Sequence, residues 1–403
     1  MKLSKLSRTI LVSSLGLVVA TLLTSCEIVT IDYVFVANSA GSGSGTTGQI
    51  QTFDADSQTG ALRNGAPAVS SGGNNPVAIA ITADYANLYV VNQASNNVVH
   101  FTIADSGVLT QKDTVTTSPN PSFVQVNTAG TYLYVVSGPS PAVLTAYPLR
   151  GGTIGAVAAQ VTLSIPNFGG DTVAPTGVTV LANNDAVYVS AFDQSAYNPG
   201  GTTTSIANPG WIFGYAVGSN GALTTAVGSP YKAGIKPVAV VSDPTNRFVY
   251  TTDFASNQLI GYTIQSGSVL AFMINGPFSA GTEPDALTID PRGKYIYVSN
   301  GLANTVTSFT IDLATGTPSA IVNTTGSQVN STDTDPVSVA VDAALGRFVY
   351  TANYLGNSVS GFRLNADTGA LTPTQASPYP SGLKSAVVVT VPHGNHSLQS
   401  VTP

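Results

Sequence analysis

Short runs of apolar residues that alternate with polar ones recur along the whole chain, separated by Gly, Asn, Ser and Pro. Such runs, rich in β-branched and aromatic residues, predict β-strands, and the residues between them predict tight turns. Because the pattern returns at a near-constant spacing, the sequence predicts an all-β repeat protein. The repeat is clearest in GRFVYTANYLGNSVSGFRLNADTGAL at 346–371, PRGKYIYVSNGLANTVTSFTIDLATG at 291–316 and PTNRFVYTTDFASNQLIGYTIQSGSVL at 244–270.

Each repeat unit contains three recognisable strands, and a weaker fourth strand follows a turn such as NADTGAL, where Gly takes the positive φ of a hairpin. The first strand is an apolar run: PVAIAIT at 76, PSFVQVN at 121, PTGVTVL at 175, PVAVVSD at 237, PDALTID at 284, PVSVAVD at 336 and SAVVVTV at 385. The second strand contains an aromatic: DYVFVAN at 32, NLYVVN at 87, YLYVVS at 132, AVYVSA at 186, FVYTTD at 248, YIYVSN at 295 and FVYTAN at 348. The third strand has an aromatic at a fixed place: Phe53, Phe101, Tyr147, Tyr215, Tyr262, Phe309 and Phe362.

Seven units of four antiparallel strands predict a seven-bladed β-propeller over residues 33–391, with a tail over 392–403. The folded part begins with a second strand at 32 and ends with a lone first strand at 385. The last strand is therefore expected to complete blade one and close the ring, which removes the exposed sheet edges. A β-sandwich or an open solenoid explains seven matched units and a split one less well.

The first 25 residues read as an export signal. Lys2, Lys5 and Arg8 precede an apolar run over 10–23, which is too short for a stable membrane span. Leu-Thr-Ser-Cys then resembles a bacterial lipobox, in which Cys26 becomes the lipidated first residue, followed by a tether that ends at residue 32. The alternative is an ordinary signal peptide with a chance cysteine. The lipoprotein interpretation predicts a membrane partner, held through acyl chains.

Composition supports an exported β protein. Loss of the three basic residues of the signal takes the formal net charge from −6 to −9, which argues against a nucleic-acid partner. Charged residues make up only 8% of the chain, so its surface is built from Ser, Thr, Asn, Gln and Gly. Cys26 is the single cysteine, so stability must come from packing. Glu27, after the lipobox, favours the outer membrane of a Gram-negative cell envelope.

The FVYTAN-type strand, the N-x-V strand after it and the D-x-x-T-G-x-L hairpin resemble those of the lactonase and YVTN-repeat group of seven-bladed propellers. This group includes 6-phosphogluconolactonase and carboxymuconate-cyclising enzymes, and the resemblance covers nearly all of residues 32–391. It implies the propeller fold and a lactone-opening activity. The same repeat also serves proteins that catalyse nothing, so function must be argued from the site.

The residue that precedes each first strand should ring one mouth of the central channel. Two interpretations are open for this collar: pairs of opposite charge that neutralise each other on the surface, or a polar ring that binds a small ligand or a protein or carbohydrate partner. The collar residues are Asn75, Asn120, Ala174, Lys236, Glu283, Asp335 and Lys384.

Three acidic residues near this mouth are candidate catalytic groups. Glu283 is the base expected to activate water for a lactone hydrolase, because a carboxylate beside a lysine can serve if it is partly buried. Asp285 or Asp335 would support it. Carboxylates near a mouth are also common on surfaces without any site.

The long loop of blade four is the largest departure from the repeat. FDQSAYNPGGTTTSIANPGW contains Asp193, Tyr197 and the only tryptophan, Trp211. Aromatic side chains on a loop that overhangs the mouth could stack on a sugar or a peptide. Equally, the loop could pack on itself, with the tryptophan covering the blade edge.

No arginine is expected at the mouth. Arg247, Arg292, Arg347 and Arg150 fall in turns of the opposite face, which disfavours an anionic substrate at the collar. The chain shows no nucleophile elbow, phosphate loop or zinc motif, so neither a cofactor nor a metal is expected. An envelope-anchored binding or scaffold module is therefore favoured, with hydrolysis of a neutral or weakly charged lactone as the alternative. Phosphorylated sugar lactones are cytoplasmic, which disfavours them for an exported chain.

Overall fold

The computed structural model describes residues 29–39, 47–165, 172–197 and 209–393, and within these ranges every regular element is a β-strand. The strands form seven antiparallel sheets, each of which is one blade. The expected all-β, seven-bladed propeller is confirmed. The segment interpreted as an export signal and Cys26 lie outside the described residues. The described ranges contain no helix long and apolar enough to cross a membrane.

The innermost strand of each blade lines the channel, and the second strand pairs with it. The innermost strands are β5 (Pro76–Ile81), β9 (Pro121–Val126), β14 (Val173–Val180), β19 (Pro237–Ser242), β24 (Pro284–Ile289), β29 (Pro336–Val341) and β34 (Ser385–Pro392). The second strands are β1 (Thr30–Asn38), β6 (Asn87–Asn92), β10 (Tyr132–Ser137), β15 (Ala186–Asp193), β20 (Phe248–Asp253), β25 (Tyr295–Asn300) and β30 (Phe348–Asn353).

The third strand of each blade carries the outermost strand, which is split into two short pieces in all blades except blade two. The third strands are β2 (Gln49–Asp56), β7 (Asn97–Ile103), β11 (Val143–Arg150), β16 (Gly210–Val217), β21 (Gln258–Gln265), β26 (Thr305–Ile311) and β31 (Ser358–Leu364). The outermost strands are β3 (Leu62–Asn64) and β4 (Val69–Ser70), β8 (Leu109–Thr116), β12 (Thr153–Ile154) and β13 (Ala159–Thr162), β17 (Leu223–Thr225) and β18 (Tyr231–Lys232), β22 (Val269–Phe272) and β23 (Phe278–Ser279), β27 (Pro318–Ala320) and β28 (Val329–Ser331), and β32 (Leu371–Pro373) and β33 (Tyr379–Pro380).

Ring closure follows the split unit. The last strand, β34, pairs antiparallel with β1, from Asp32 opposite Pro392 to Asn38 opposite Ser385. The Ser385 hydroxyl also donates to Asn38 Oδ1 at 3.1 Å. The C-terminal strand therefore completes blade one, as expected.

The aromatic of the second strand joins neighbouring blades. In most blades this residue is a fully buried tyrosine whose hydroxyl donates to a backbone carbonyl in the turn after the third strand of the next blade. Burial of the ring supplies apolar area, and the hydrogen bond satisfies the hydroxyl inside the core. The bonds are Tyr89 to Gly152 (2.6 Å), Tyr188 to Ser268 (2.7 Å), Tyr250 to Gly316 (2.6 Å), Tyr297 to Gly369 (2.9 Å) and Tyr350 to Gly60 (2.9 Å).

Every innermost strand has a β-bulge after its first residue or near its start. The register with the second strand shifts there by one position and leaves a single residue unpaired. Such bulges bend the strand and redirect a side chain. The unpaired residues are Val77, Ser122, Thr176, Val238, Asp285, Val337 and Ala386.

The two faces of the ring are distinct. The upper face carries the segments that lead into the innermost strands and the turns between second and third strands. The lower face carries the turns that follow the innermost strands and the third strands. These names are used below.

Candidate functional site

The upper part of the channel is a cavity of about 640 Å³ lined by the innermost strands of all seven blades. Clefts of this size commonly hold small molecules. A groove of about 760 Å³ lies at the lower turns of blades two and three, but the only titratable residue among its described lining is Asp84. The Asp84 carboxylate accepts hydrogen bonds from the Thr82 hydroxyl and the Ala86 N–H, as expected for a turn. The channel cavity is therefore the candidate site.

Asp285 is the one charged residue among the seven bulge positions, where the other blades have Val, Ser, Thr, Val, Val and Ala. It lies at the start of β24 and lines the cavity. The bulge turns its side chain toward the channel, because it has no partner on β25. A carboxylate thus stands in an otherwise neutral ring of side chains.

Burial, and then the neighbouring carboxylates of Asp335 and Glu283 in that order, raise the pKa of Asp285, which reaches about 7 in all. The ammonium group of Lys236 and the N–H of Gly301 act in the opposite direction and only partly compensate. A carboxyl group with such a pKa exchanges protons near neutral pH, which an ordinary aspartate does not.

The absence of a side chain at Gly301 makes room for two carboxylates. A Cβ atom at this position would lie 2.1 Å from Asp285 Oδ2 and 3.1 Å from Asp335 Oδ1. The two acidic groups therefore converge on the same glycine at the upper end of β25. Any larger residue would displace Asp285 from its position in the cavity wall.

Five of the seven collar residues, including Asn75 and Asn120, have a left-handed backbone conformation. Glu283, Asp335 and Lys384 have φ of 53°, 60° and 55°, in the left-handed region that side chains other than Gly and Asn seldom adopt. Local backbone strain of this kind is frequent at functional sites.

An asparagine of the preceding blade forms a hydrogen bond with the backbone of each of these three residues, Glu283, Asp335 and Lys384. The side-chain oxygen of the asparagine accepts the N–H of the collar residue, and the same bond holds Asn120. The pattern fixes the direction in which each collar side chain leaves the backbone. The bonds run from Asn120 to Asn96 (2.7 Å), from Glu283 to Asn257 (2.9 Å), from Asp335 to Asn304 (2.8 Å) and from Lys384 to Asn357 (2.7 Å).

Lys236 lies over aromatic rings and does not form an ion pair with Glu283. Its Nζ is 4.0 Å from the ring centre of Phe254 and 5.2 Å from that of Tyr197. Burial lowers the pKa of Lys236, and the charges of Asp285 and then Glu283 partly restore it. The ammonium group is therefore near the acidic cluster and partly desolvated.

Within the described part of the chain, ion pairs occur only at His100–Asp113, Arg247–Asp243 and Arg292–Asp290. The expected alternative of two neutralising surface pairs in the collar is thus not formed. Lys384 instead has its Nζ 5.6 Å from the ring centre of Tyr354, a residue that lines the cavity.

The acidic side of the collar is electrostatically coupled. Burial and the charge of Glu283 raise the pKa of Asp335. Burial, Glu283 and Asp253 raise the pKa of Tyr197. The structure therefore brings together Lys236, Glu283, Asp285, Asp335 and Tyr197 among the candidates.

Other candidates lie elsewhere. Asn75 and Asn120 belong to the collar of blades two and three; Asn75 Nδ2 donates to Gln93 Oε1 (3.1 Å), and Asn120 is exposed. Ala174 brings no polar side chain. The carboxylate of Asp193 is buried and accepts the N–H and hydroxyl of Ser195, which identifies it as a turn-forming group.

Trp211 does not overhang the mouth. It lies in β16, is only 8% exposed and packs in the core between blades. Lys232 Nζ covers its ring at 3.7 Å from the centre. The ring is therefore not available for stacking on a ligand. Most of the loop in which we expected it, 198–208, lies outside the described residues.

Sequence reasoning missed Phe254 and Tyr354. Each of these residues directly follows a second strand, and its backbone N–H donates to the carbonyl of a collar residue. Phe254 donates to Lys236 at 2.9 Å and Tyr354 donates to Asp335 at 2.8 Å. Gly301 occupies the same place in blade six and donates to Glu283 at 2.8 Å. Comparison of this position across the repeat could have identified all three.

Four arginines lie at turns of the lower face, as expected: Arg150, Arg247, Arg292 and Arg347. Arg247 and Arg292 pair with Asp243 and Asp290 in turns below the innermost strands. Among the described residues, no cluster of three or more His, Cys, Asp or Glu side chains could bind a metal ion. Because the arginines lie elsewhere, the positively charged residues of the collar are Lys236 and Lys384.

Comparison with known proteins agrees with this architecture. The family model described as lactonase, 7-bladed beta-propeller, matches residues 28–126 and 104–379. No curated protein matches the chain by sequence.

Solved structures share the fold at low identity. A putative 6-phosphogluconolactonase from Bacteroides fragilis is 18% identical, with a TM-score of 0.72 over 91% of this chain and 99% of that one. The periplasmic gluconolactonase of Pseudomonas aeruginosa is also 18% identical, with a TM-score of 0.72 over 91% of this chain and 100% of that one. Hydrazine synthase of Kuenenia stuttgartiensis is 16% identical, with a TM-score of 0.56 over 78% of this chain and 89% of that one. At such identities these structures establish the fold and leave the chemistry to the site.

Proposed function

We propose, starting from the fact that this chain belongs to the lactonase family of seven-bladed β-propellers, that its upper channel mouth hydrolyses a lactone. The observation that carries this proposal is Asp285, the one acidic residue among the seven bulge positions of the channel wall, with a pKa raised to about 7. A general base is most effective when its pKa lies near the working pH. Asp285 thus takes the role that sequence analysis gave to Glu283.

In the proposed reaction, ionised Asp285 removes a proton from water as the water oxygen attacks the lactone carbonyl carbon. The tetrahedral intermediate collapses by breaking the ring C–O bond. The proton held by Asp285 passes to the departing ring oxygen, so that one water and one lactone give one hydroxy acid. Asp285 ends the cycle ionised.

In this scheme Lys236 stabilises the oxyanion, because it lies near the acidic cluster, where the charges of Asp285 and then Glu283 act on its pKa. Its partly desolvated ammonium group interacts more strongly than one in water. Glu283 and Asp335 act on Asp285 by raising its pKa. They are positioning residues in this scheme.

A neutral lactone fits this site better than a phosphorylated one. Three carboxylates face two lysines at the collar, and the described arginines pair or lie on other parts of the molecule. Phosphate is typically bound by arginine forks, which the mouth lacks. From the structural neighbours described as phosphogluconolactonases, the proposal therefore takes the fold and the hydrolysis of a lactone ester bond, and not the phosphate group of the substrate.

The proposed location is the cell envelope, with the protein exported and anchored through a lipid on Cys26. One structural neighbour is described as periplasmic, which supports export. Thr30, at the start of β1, pairs with Asp56, next to the lower turn of blade one. A tether to Cys26 would thus attach at the lower face and turn the upper mouth away from the membrane.

A second candidate function is binding of a protein or carbohydrate partner at the upper face. Leu302, Leu355 and Leu383 are 63%, 61% and 63% exposed, and they lie in upper loops of adjoining blades. Neighbouring exposed leucines are typical of contact surfaces. This function predicts no turnover of any lactone.

The test is to follow acid release from a panel of lactones by residues 27–403, with Asp285→Asn as the inactive variant. D-glucono-δ-lactone, its 6-phosphate and simple γ-lactones make up the panel. Asp367→Asn is the matched control, because its carboxylate lies in an exposed lower turn. Turnover that is lost in Asp285→Asn alone supports the proposal, and no turnover above buffer on any lactone overturns it.

A further inference from the structure

The rest of the cavity wall, level with Asp285 and below it, has a different character from the collar. It consists mainly of aliphatic and aromatic side chains from the innermost strands. Several of them are only partly buried although they lie inside the ring, so they contact the solvent of the cavity. We call this apolar part of the channel the well; it includes Val77, Phe123, Val238, Val337 and Val387.

Three polar side chains in the wall each already make a hydrogen bond to the protein, which leaves few groups free to bind a ligand. The Thr176 hydroxyl donates to the Pro237 carbonyl at 2.6 Å. The Ser338 hydroxyl accepts the Val388 N–H at 3.2 Å, and Gln125 Nε2 donates to the Val126 carbonyl at 3.4 Å. A sugar ring placed here would bury hydroxyls that lack partners, which is costly.

Asp285 lines the cavity together with the well residues. A lactone carbonyl next to Asp285 can therefore have its substituent directed along the channel, away from the collar charges. An alkyl group in that position removes apolar wall and apolar ligand from water at once.

We propose that the substrate is a lactone that carries an aliphatic chain, with the ring at the collar and the chain in the well. This inference rests on the proposed hydrolysis and narrows its substrate class. It differs from the polyhydroxylated substrate named for the gluconolactonase neighbour. Lactones whose ring is substituted by an alkyl or acyl chain satisfy it.

The first experiment compares γ-butyrolactone, γ-hexalactone, γ-octalactone and γ-decalactone with D-glucono-δ-lactone. We expect kcat/KM to rise about fourfold for each methylene, the equivalent of about 0.8 kcal/mol, until the well is filled. The wild-type chain suffices, so the result does not depend on whether any variant folds. A flat series, or a preference for the gluconolactone, overturns the inference and leaves the proposed hydrolysis intact.

A binding measurement separates the inference from the catalytic proposal. Calorimetric titration of Asp285→Asn with the same series reports chain binding without turnover, and we expect the same gain per methylene. Chain-dependent binding with no wild-type turnover would overturn the hydrolase and retain the well as a binding site for chain-bearing lactones. Equal binding across the series overturns the well.

Val337→Thr places a hydroxyl of the same shape in the well. We expect it to reduce the ratio of kcat/KM for γ-decalactone to that for γ-butyrolactone about tenfold. Val227→Thr is the matched control, because Val227 is 77% exposed. Ala386→Leu, which fills part of the well, should move the longest accepted chain to a shorter length. A ratio unaffected by both well variants contradicts the inference.

Discussion

Asp285 and Asp290 lie at opposite ends of β24, and the same residue type has opposite surroundings there. Asp290, on the lower face, is fully buried and accepts the N–H groups of Lys294 and Tyr295, each at 2.8 Å, and Arg292 Nε at 2.5 Å. Asp285, on the upper face, borders the cavity among other carboxylates. A carboxylate whose hydrogen bonds are all made therefore stabilises the fold, whereas a carboxylate with few partners beside a cavity is available for chemistry.

Substitution of both residues tests this comparison with the largest expected effect. Asp285→Asn should lower turnover by about 100- to 10,000-fold, because a general base is lost, and should leave the fold intact. Asp290→Asn should cost about 3 kcal/mol of stability, because Arg292 loses its buried counter-charge. Turnover per folded molecule should persist. Lactone hydrolysis and urea unfolding of both variants measure this, and a reversed pattern would contradict our assignment of the two faces.

The pH dependence gives the next largest effect. Because the pKa of Asp285 is raised to about 7, the ionised base is depleted below that pH. We expect kcat/KM to fall about tenfold for each pH unit below 7 and to level off above it. Asp335→Asn should move the profile to lower pH, because Asp335 is the strongest carboxylate neighbour raising that pKa. A profile that does not move in this variant would exclude Asp285 as the titrating base.

Asp32 shows that burial alone does not make a site. Its carboxyl oxygens are buried and have no hydrogen-bond partner within the described ranges, and burial raises its pKa well above the usual range. It does not border the channel cavity. Its folded-state pKa exceeds the unfolded value, so stability is present at low pH and is lost as pH rises through that raised pKa.

Asp32→Asn should therefore stabilise the fold by about 1 to 3 kcal/mol at pH 8 and by little at pH 4, with unchanged hydrolysis. Chemical unfolding at the two pH values is the measurement. A loss of turnover in this variant would contradict the distinction between Asp285, which borders the cavity, and Asp32, which does not. Asp285→Asn, assayed alongside, supplies the reference for a catalytic loss.

The fold could be predicted from sequence because its determinants are local and repeated. The alternation in FVYTAN, the Gly turns and the split unit each follow from a few neighbouring residues. The collar was also predictable, since it precedes a recognisable strand. The Asp in PDALTID was visible as the one acidic residue at its position among seven aligned strands.

The rest of the site depends on contacts between blades, which no local pattern encodes. The burial that raises the pKa of Asp285 arises when seven innermost strands converge, so sequence analysis chose Glu283 as the base and gave Asp285 only a supporting role. An ion pair between Lys236 and Glu283 was one of two interpretations of the collar, but Lys236 lies over Phe254, because the residue after the second strand reaches the collar. Trp211 was expected on a loop, yet WIFGYAV alternates as a strand and buries its first ring.

The tyrosine hydrogen bonds between blades give the smallest expected effect. They test whether the lower face stabilises the fold. Tyr297→Phe leaves the Gly369 carbonyl without its donor and should cost about 1 kcal/mol. Tyr134 is the matched control: its buried hydroxyl has no partner among the described residues, so Tyr134→Phe should be neutral or slightly stabilising. Urea midpoints of the two variants should differ while their hydrolysis rates agree. Equal midpoints would mean that ring burial alone joins the blades. A difference would show that the hydrogen bonds to lower-turn carbonyls help to hold one blade to the next.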